Sequence, residues 1–149
     1  MSAAKTLEKL RKHFATIKPE IFDYLLQEIP ETIRRRTATG KGVSEKKLKA
    51  LKKLSPRYVK FRKTYPNLST ETTPKKSNLT LTGDMLSKMR GSRVGTVLTF
   101  FFADKFSNDK ARWNREKGRN FFELAESEKN GIMRKMSKTL RDYLRSKVR

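Results

Sequence analysis

The segment from Val94 to Ala103 limits the fold of this chain more than any other. In an extended strand it puts Val94, Thr96, Leu98, Phe100 and Phe102 on one side, and Val97, Thr99, Phe101 and Ala103 on the other. A strand that is apolar on both sides cannot stand alone, because a sheet needs three or more strands or a covering helix to be stable in water. The only other stretch that alternates is Leu79-Thr80-Leu81. The expectation is therefore a small antiparallel sheet, with strands near 78–81 and 94–103, covered by helices on one face. Leu98, Phe100, Phe101 and Phe102 would then reach a second subunit that supplies the missing edge or face.

Helical spacing dominates the rest. Ala3, Leu7, Leu10, Phe14, Ile17 and Ile21 recur every three or four residues, which makes a first amphipathic helix. Pro19 disfavours an α conformation at Lys18, so a break or bend is expected there. A second helix would bury Ile21, Phe22, Leu25, Leu26, Ile29 and Ile33, kink at Pro30 and stop at Gly40. Ser44 would cap a short helix carrying Leu48, Leu51 and Leu54. Thr82 would cap another ending near Gly91, and Ser107 a third that runs through Trp113 and ends at Gly118. The last helix, from about Glu126 to Lys147, carries Ile132, Met136, Leu140 and Leu144 on one stripe. These elements give an α+β class: one domain over 1–149, with an N-terminal helical arm at 1–17 and a flexible loop at 64–77.

Charge bounds the partners. Thirty-seven Lys and Arg against fifteen Asp and Glu leave a formal net charge of +22, which draws polyanions or an acidic protein surface. Between Arg34 and Lys63 thirteen residues are basic and only Glu45 is acidic. This stretch reads either as a solvated amphipathic helix whose leucines dock on the domain, or as a surface that meets phosphate without reading bases. On the second reading the outward residues are Arg34, Arg35, Arg36, Lys52, Lys53, Arg57, Lys60, Arg62 and Lys63.

Several chemistries lack their residues. No Cys is present, which removes disulfides and thiolate chemistry, and His13 is the only histidine. Thr39-Gly40-Lys41-Gly42 has neither the spacing nor the preceding strand of a phosphate loop. A small metal-dependent nuclease is the enzymatic alternative: Glu45-Lys46-Lys47 has a suitable spacing, and Asp84 and Asp104 fall near strand ends, each without a carboxylate partner. Neither catalysis nor a cofactor or metal is expected. The amino terminus carries no apolar stretch of signal-peptide or membrane-spanning length, so a cytosol-like site of synthesis is expected.

Three segments in order carry a family likeness. They are Leu54-Ser55-Pro56-Arg57-Tyr58 with its basic continuation to Lys63, Asn78-Leu79-Thr80-Leu81-Thr82-Gly83-Asp84-Met85-Leu86, and Ala111-Arg112-Trp113 followed by Gly118 and Arg119-Asn120-Phe121-Phe122-Glu123-Leu124. In this order the chain resembles the virion-morphogenesis and tail-completion proteins of tailed bacteriophages, over roughly residues 40–149. The resemblance implies a structural virion protein of the neck or head-proximal tail end, made in the host cytoplasm and acting in head–tail joining or tail completion. It implies a homo-oligomeric ring around the DNA path, with neck, tail and connector proteins as neighbours, double-stranded DNA in the lumen, and no membrane. Ser55, Pro56, Tyr58, Leu81, Thr82, Gly83, Leu86, Trp113, Gly118, Phe121 and Phe122 would be the structural residues of the motif. The chain departs from the family in its short extra N-terminal arm, in a central sheet reduced to one clear strand, and in having Trp113 as the landmark aromatic. A basic nucleic-acid-binding protein of ribosomal or architectural type is the alternative that the charge alone would suit.

Overall fold

Helix α1 runs unbroken from Ala3 to Ala38 in the computed structural model, which describes residues 3–70 and 72–148, with side chains for 19–70, 72–142 and 145. The break expected at Lys18 is corrected, since Pro19 and Pro30 both lie inside this one helix. Each proline removes a single donor from the ladder. Docking of Ile29 and Ile33 in the core offsets that loss near Pro30. The side chains of the stripe from Ala3 to Ile17 lie outside the described residues. The helix stops as expected: Gly40, at φ 83, donates its N–H to the Thr37 carbonyl at 2.8 Å, in the left-handed conformation that glycine adopts without strain.

The stretch after Gly40 is a β-hairpin and not the helix that the leucine spacing suggests. Strand β1 (Lys41–Ser44) pairs antiparallel with β2 (Lys47–Ala50), Val43 opposite Leu48. Its two-residue turn puts Glu45 at φ 51 and Lys46 at φ 62, the double positive φ of a type I′ turn, here without the usual Asn or Gly. Tertiary bonds hold this arrangement against helical propensity. The Val43 N–H donates to the Asn120 carbonyl and the Glu126 N–H to the Lys46 carbonyl, each at 2.8 Å. At Gly42 a Cβ would sit 2.1 Å from the Asn120 carbonyl oxygen, so only glycine allows this backbone approach.

Helix α2 (Pro56–Lys63) starts at Ser55, whose hydroxyl accepts the Tyr58 N–H at 3.3 Å, with Pro56 in the first turn. Residues 65–70 and 72–83 then contain neither helix nor strand. The strand expected at 78–81 is corrected: Leu79 sits at φ 57, while Asn78 and Thr80 turn inward and are buried. Helix α3 is a single turn, Asp84–Ser87, started by Gly83 at φ 85. It ends before Gly91 because the chain from Met89 enters a strand.

That strand, β3 (Met89–Val94), is the partner that the apolar segment requires. It pairs antiparallel with β4 (Val97–Phe102), Met89 opposite Phe102 and Val94 opposite Val97. The single strand expected over 94–103 is thus the second arm of a hairpin that turns at Gly95, φ 61. Alternation holds through β4. Leu98 and Phe100 are half-buried and Phe102 fully buried on the inner side, while Val97, Thr99 and Phe101 face outward. Helix α1 lies along this hairpin: the Arg93 guanidinium is 4.1 Å from the centre of the Phe22 ring, and a Cβ on Gly91 would meet a Leu26 methyl at 2.7 Å.

Asp104 caps helix α4 (Lys105–Glu116), its carboxylate accepting both the backbone N–H of Ser107 at 2.8 Å and the Ser107 hydroxyl at 2.9 Å. The cap expected at Ser107 is therefore three residues earlier, with Ser107 as its partner. Gly118, at φ 73, closes the helix. Helix α5 (Glu126–Val148) is the long C-terminal helix anticipated from its stripe. The described residues thus make an α+β fold of five helices and two separate two-stranded antiparallel sheets. The core between them is Ile33, Leu51, Met85, Leu86, Met89, Phe102 and Phe121, with Phe122 packed on Phe102 at 5.0 Å between ring centres.

This core is small, and buried arginines fasten its rim. Arg36, 6% exposed, donates to the Glu128 carboxylate at 2.7 Å and to the Phe121 carbonyl. The same Glu128 oxygen accepts the Ala125 N–H at 2.8 Å. Burial pulls the Arg36 guanidinium below its ordinary value, and Glu128 works against that shift. Across α1 and α5, Glu28 meets Lys135 at 2.9 Å and Arg35 at 3.2 Å. The Lys135 ammonium, seconded by Arg35, holds the Glu28 carboxyl below the usual range.

Replacing Arg36 by Met should cost about 3 kcal/mol, because it strands a carboxylate that is largely out of water. The pair Arg36→Met with Glu128→Gln should recover more than half of that, as no lone charge then remains. Urea unfolding measures both, and a single-variant loss below about 1 kcal/mol would contradict the role given to this pair.

Acid dependence follows from the carboxyls. The Ser107 backbone N–H, with its hydroxyl, holds the Asp104 carboxyl below its ordinary value, as Lys135 does for Glu28. A depressed folded-state value stabilises above the ordinary carboxyl range, and that stabilisation is lost as pH falls through the depressed value. The thermal midpoint should therefore drop on acidification below about pH 4, and Asp104→Asn should flatten the drop. An acid limb of unchanged slope in that variant would exclude Asp104 as a contributor.

Candidate functional site

Parts of the three ordered segments meet in one place, although Ala111, Arg112, Phe121 and Phe122 of the third lie on a different concavity. Helix α2, the turn at 79–84 and helix α4 enclose a groove of about 840 Å³. One wall is a ladder of rings on α2 and its exit: Tyr58 and Phe61 stack at 5.8 Å, and Phe61 and Tyr65 follow at 5.5 Å. Their spacing of three and four residues sets them on one helical face. The floor is apolar, from Leu54, Leu79, Leu81 and Met85.

The opposite wall is α4. Phe106, Lys110, Trp113 and Lys117 project from one face of it, alternating a ring with an ammonium. Lys110 Nζ lies 4.0 Å from the Phe106 ring centre, and Lys117 Nζ lies 3.6 Å from that of Trp113, within cation–π range. Arg57 and Arg119 extend the positive lining, and among the described residues Asp84 is the sole acidic one in it. That carboxylate is already engaged, since it accepts the Thr82 hydroxyl at 2.7 Å.

Burial divides the nine basic residues expected to face a partner. Arg36 and Arg62 are 6% and 2% exposed, so neither presents its charge at the surface of this chain, and both are withdrawn from that set. Arg62 donates to the Lys76 carbonyl at 2.8 Å and to the Thr72 hydroxyl at 2.9 Å, which ties the irregular segment back to α2. Burial lowers its basicity too. Arg34 is half-buried, bonding the Leu86 and Met89 carbonyls at 3.0 Å each. Arg35, Lys52, Lys53, Arg57, Lys60 and Lys63 remain exposed.

The motif residues have mechanical jobs. Ser55 and Pro56 start α2. The Leu81 carbonyl accepts the Ser69 N–H at 2.8 Å. Thr82 and Gly83 shape the turn into α3, Leu86 and Phe121 fill the core, and Phe122 packs against it. Trp113 is 52% exposed. Of the four residues expected to reach a second subunit, Phe102 belongs to the core, Leu98 and Phe100 are half-buried, and Phe101 alone is exposed, on the same face of the hairpin as Val94 and Val97 with Ser92 and Thr99 between.

Phe106, Lys110, Lys117 and Arg119 were missed as surface residues, although their alternation along α4 with Trp113 is visible in the sequence. Glu45, a candidate for metal chemistry, occupies the exposed hairpin turn. Among the described residues no three His, Cys, Asp or Glu side chains come together as a metal site would require. A second concavity of about 580 Å³ on the other flank of α4 mixes Arg112 and Arg115 with Glu116 and Glu123. No family model, no curated protein and no solved structure matches this chain.

Proposed function

We propose that this chain is a structural virion protein of a tailed phage, stationed at the neck or the head-proximal end of the tail. Copies assemble there as a closed ring around the DNA path and act in head–tail joining or tail completion. The observation that carries this reading is that one groove gathers part of each landmark segment: Ser55 and Tyr58 from the first, Leu81-Thr82-Gly83 from the second, and Trp113 with Arg119 from the third. Their polar groups are engaged in helix caps, turns and carbonyl bonds, and the surface left around them is basic and aromatic. A landmark set arranged in this way suits contact between proteins.

Two further features agree with assembly. The outer side of the β3–β4 hairpin leaves Val94, Val97 and Phe101 at 80%, 62% and 40% exposure, an apolar strip that a neighbouring copy would cover. Arg35, Lys52, Lys53, Arg57, Lys60 and Lys63 are exposed cations of the kind that hold phosphate without base contacts, as sliding of duplex DNA requires.

Quantitative mass spectrometry of purified particles tests the proposal, with the major capsid protein as the internal standard. A low copy number equal to one small ring is expected. Absence from particles would overturn the reading and favour a basic nucleic-acid-binding protein outside the virion.

A further inference from the structure

We infer that the groove between α2, the 79–84 turn and α4 is a docking site for an acidic peptide segment of another protein, one that also carries apolar side chains. This goes beyond the ring reading, since it concerns which surface receives a different protein and stands or falls whether or not the chain is found in a virion.

The groove combines three properties that together select such an occupant. Its floor is apolar and its ring-lined walls are exposed: Phe61, Phe106 and Trp113 are 49%, 68% and 52% accessible. A cleft of about 840 Å³ is large enough to take several side chains. Its rim is positive, from Arg57, Lys110, Lys117 and Arg119, against one carboxylate among the described residues, the already bonded Asp84.

Charge also argues against the other occupants. A second copy that offered one of its own ends would meet like charge. Residues 3–18 carry five Lys or Arg against Glu8, and residues 133–148 carry six against Asp142. Both would be repelled by a basic rim. A single nucleic-acid strand would need free ring faces on which to stack its bases. Here the Tyr58–Phe61 stack takes one face of each of those rings, and a lysine covers one face each of Phe106 and Trp113, so stacking is open on at most one side of each ring. The remaining ring edges and the leucine floor suit aliphatic side chains.

Trp113 is the only tryptophan, so its emission reports occupancy of the groove directly. The full-length protein is titrated with a short synthetic peptide of Asp and Glu bearing leucines one helical turn apart, in about 0.15 M salt. Controls are the same peptide with Ser for Leu, and oligo-dT. The leucine-bearing peptide should shift Trp113 emission to the blue and saturate. Lys110→Glu with Lys117→Glu should weaken it about tenfold, and Lys138→Glu with Arg141→Glu on α5 should leave it unchanged. Circular dichroism confirms that each variant is folded; all four positions are half-exposed or exposed, so folding should survive. The inference is overturned by absence of a shift, or by equal binding of the serine peptide, which would mean charge alone. It is also overturned by tighter binding of oligo-dT, by equal effects of the two charge swaps, or by a Trp113 shift that follows protein concentration without peptide.

Discussion

The Arg36 guanidinium joins parts of the chain that lie 85 and 92 residues away from it, the Phe121 carbonyl and the Glu128 carboxylate. Everything else depends on this closure. Bonded there, the end of α1 is fixed against the start of α5 and against the Phe121-Phe122 segment, whose rings pack on Phe102. With Phe121 seated, Asn120 presents its carbonyl to Val43, and the β1–β2 hairpin is stitched to the same place. A chain with 35% hydrophobic and 35% charged residues has little apolar material for a core. Directed polar bonds of this kind therefore do part of the work that a larger core would do.

The cost is that charge is taken out of water, and the chain limits it by selection. Of the basic cluster between Arg34 and Lys63, the three members turned inward are arginines, whose flat, forked donors can satisfy several carbonyls at once. Arg34 meets two carbonyls, Arg36 a carboxylate and a carbonyl, and Arg62 a carbonyl and a hydroxyl. The lysines of the cluster stay in solvent, where their flexible point charges are suited to diffuse contact with polyanions or acidic partners. Inward arginine and outward lysine thus separate holding the fold from meeting a partner, within one stretch of sequence.

How much of this could be read beforehand follows from the range of each interaction. Helix α5, the stop at Gly40, the end of α4 at Gly118 and the alternation through β4 are set by neighbours in sequence, and they were legible. The partner strand β3 was hidden, because Met89-Arg90-Gly91-Ser92-Arg93 lacks β-branched residues and Gly91 reads as a helix end. The β1–β2 hairpin was hidden more deeply. Its turn uses Glu45 and Lys46 in a conformation that favours Asn and Gly, and Leu48, Leu51 and Leu54 have helical spacing by coincidence. No local feature distinguishes Arg36 or Arg62 from Arg35 or Arg57, since burial is decided by where distant segments return. The groove was half legible: its segments stand out in the sequence as ordered motifs, but nothing local shows that they meet.

The division of the cations is most directly tested by comparing two triple variants of equal charge. One is Arg34→Gln, Arg36→Gln and Arg62→Gln; the other is Arg57→Gln, Lys60→Gln and Lys63→Gln. Each removes three positive charges from a formal net +22, so general self-repulsion changes alike in both. Thermal unfolding should show the first variant losing stability heavily or failing to fold, and the second unfolding at or above the parent midpoint. Equal losses in the two would contradict the account, because the inward arginines would then be no more structural than the cations in solvent.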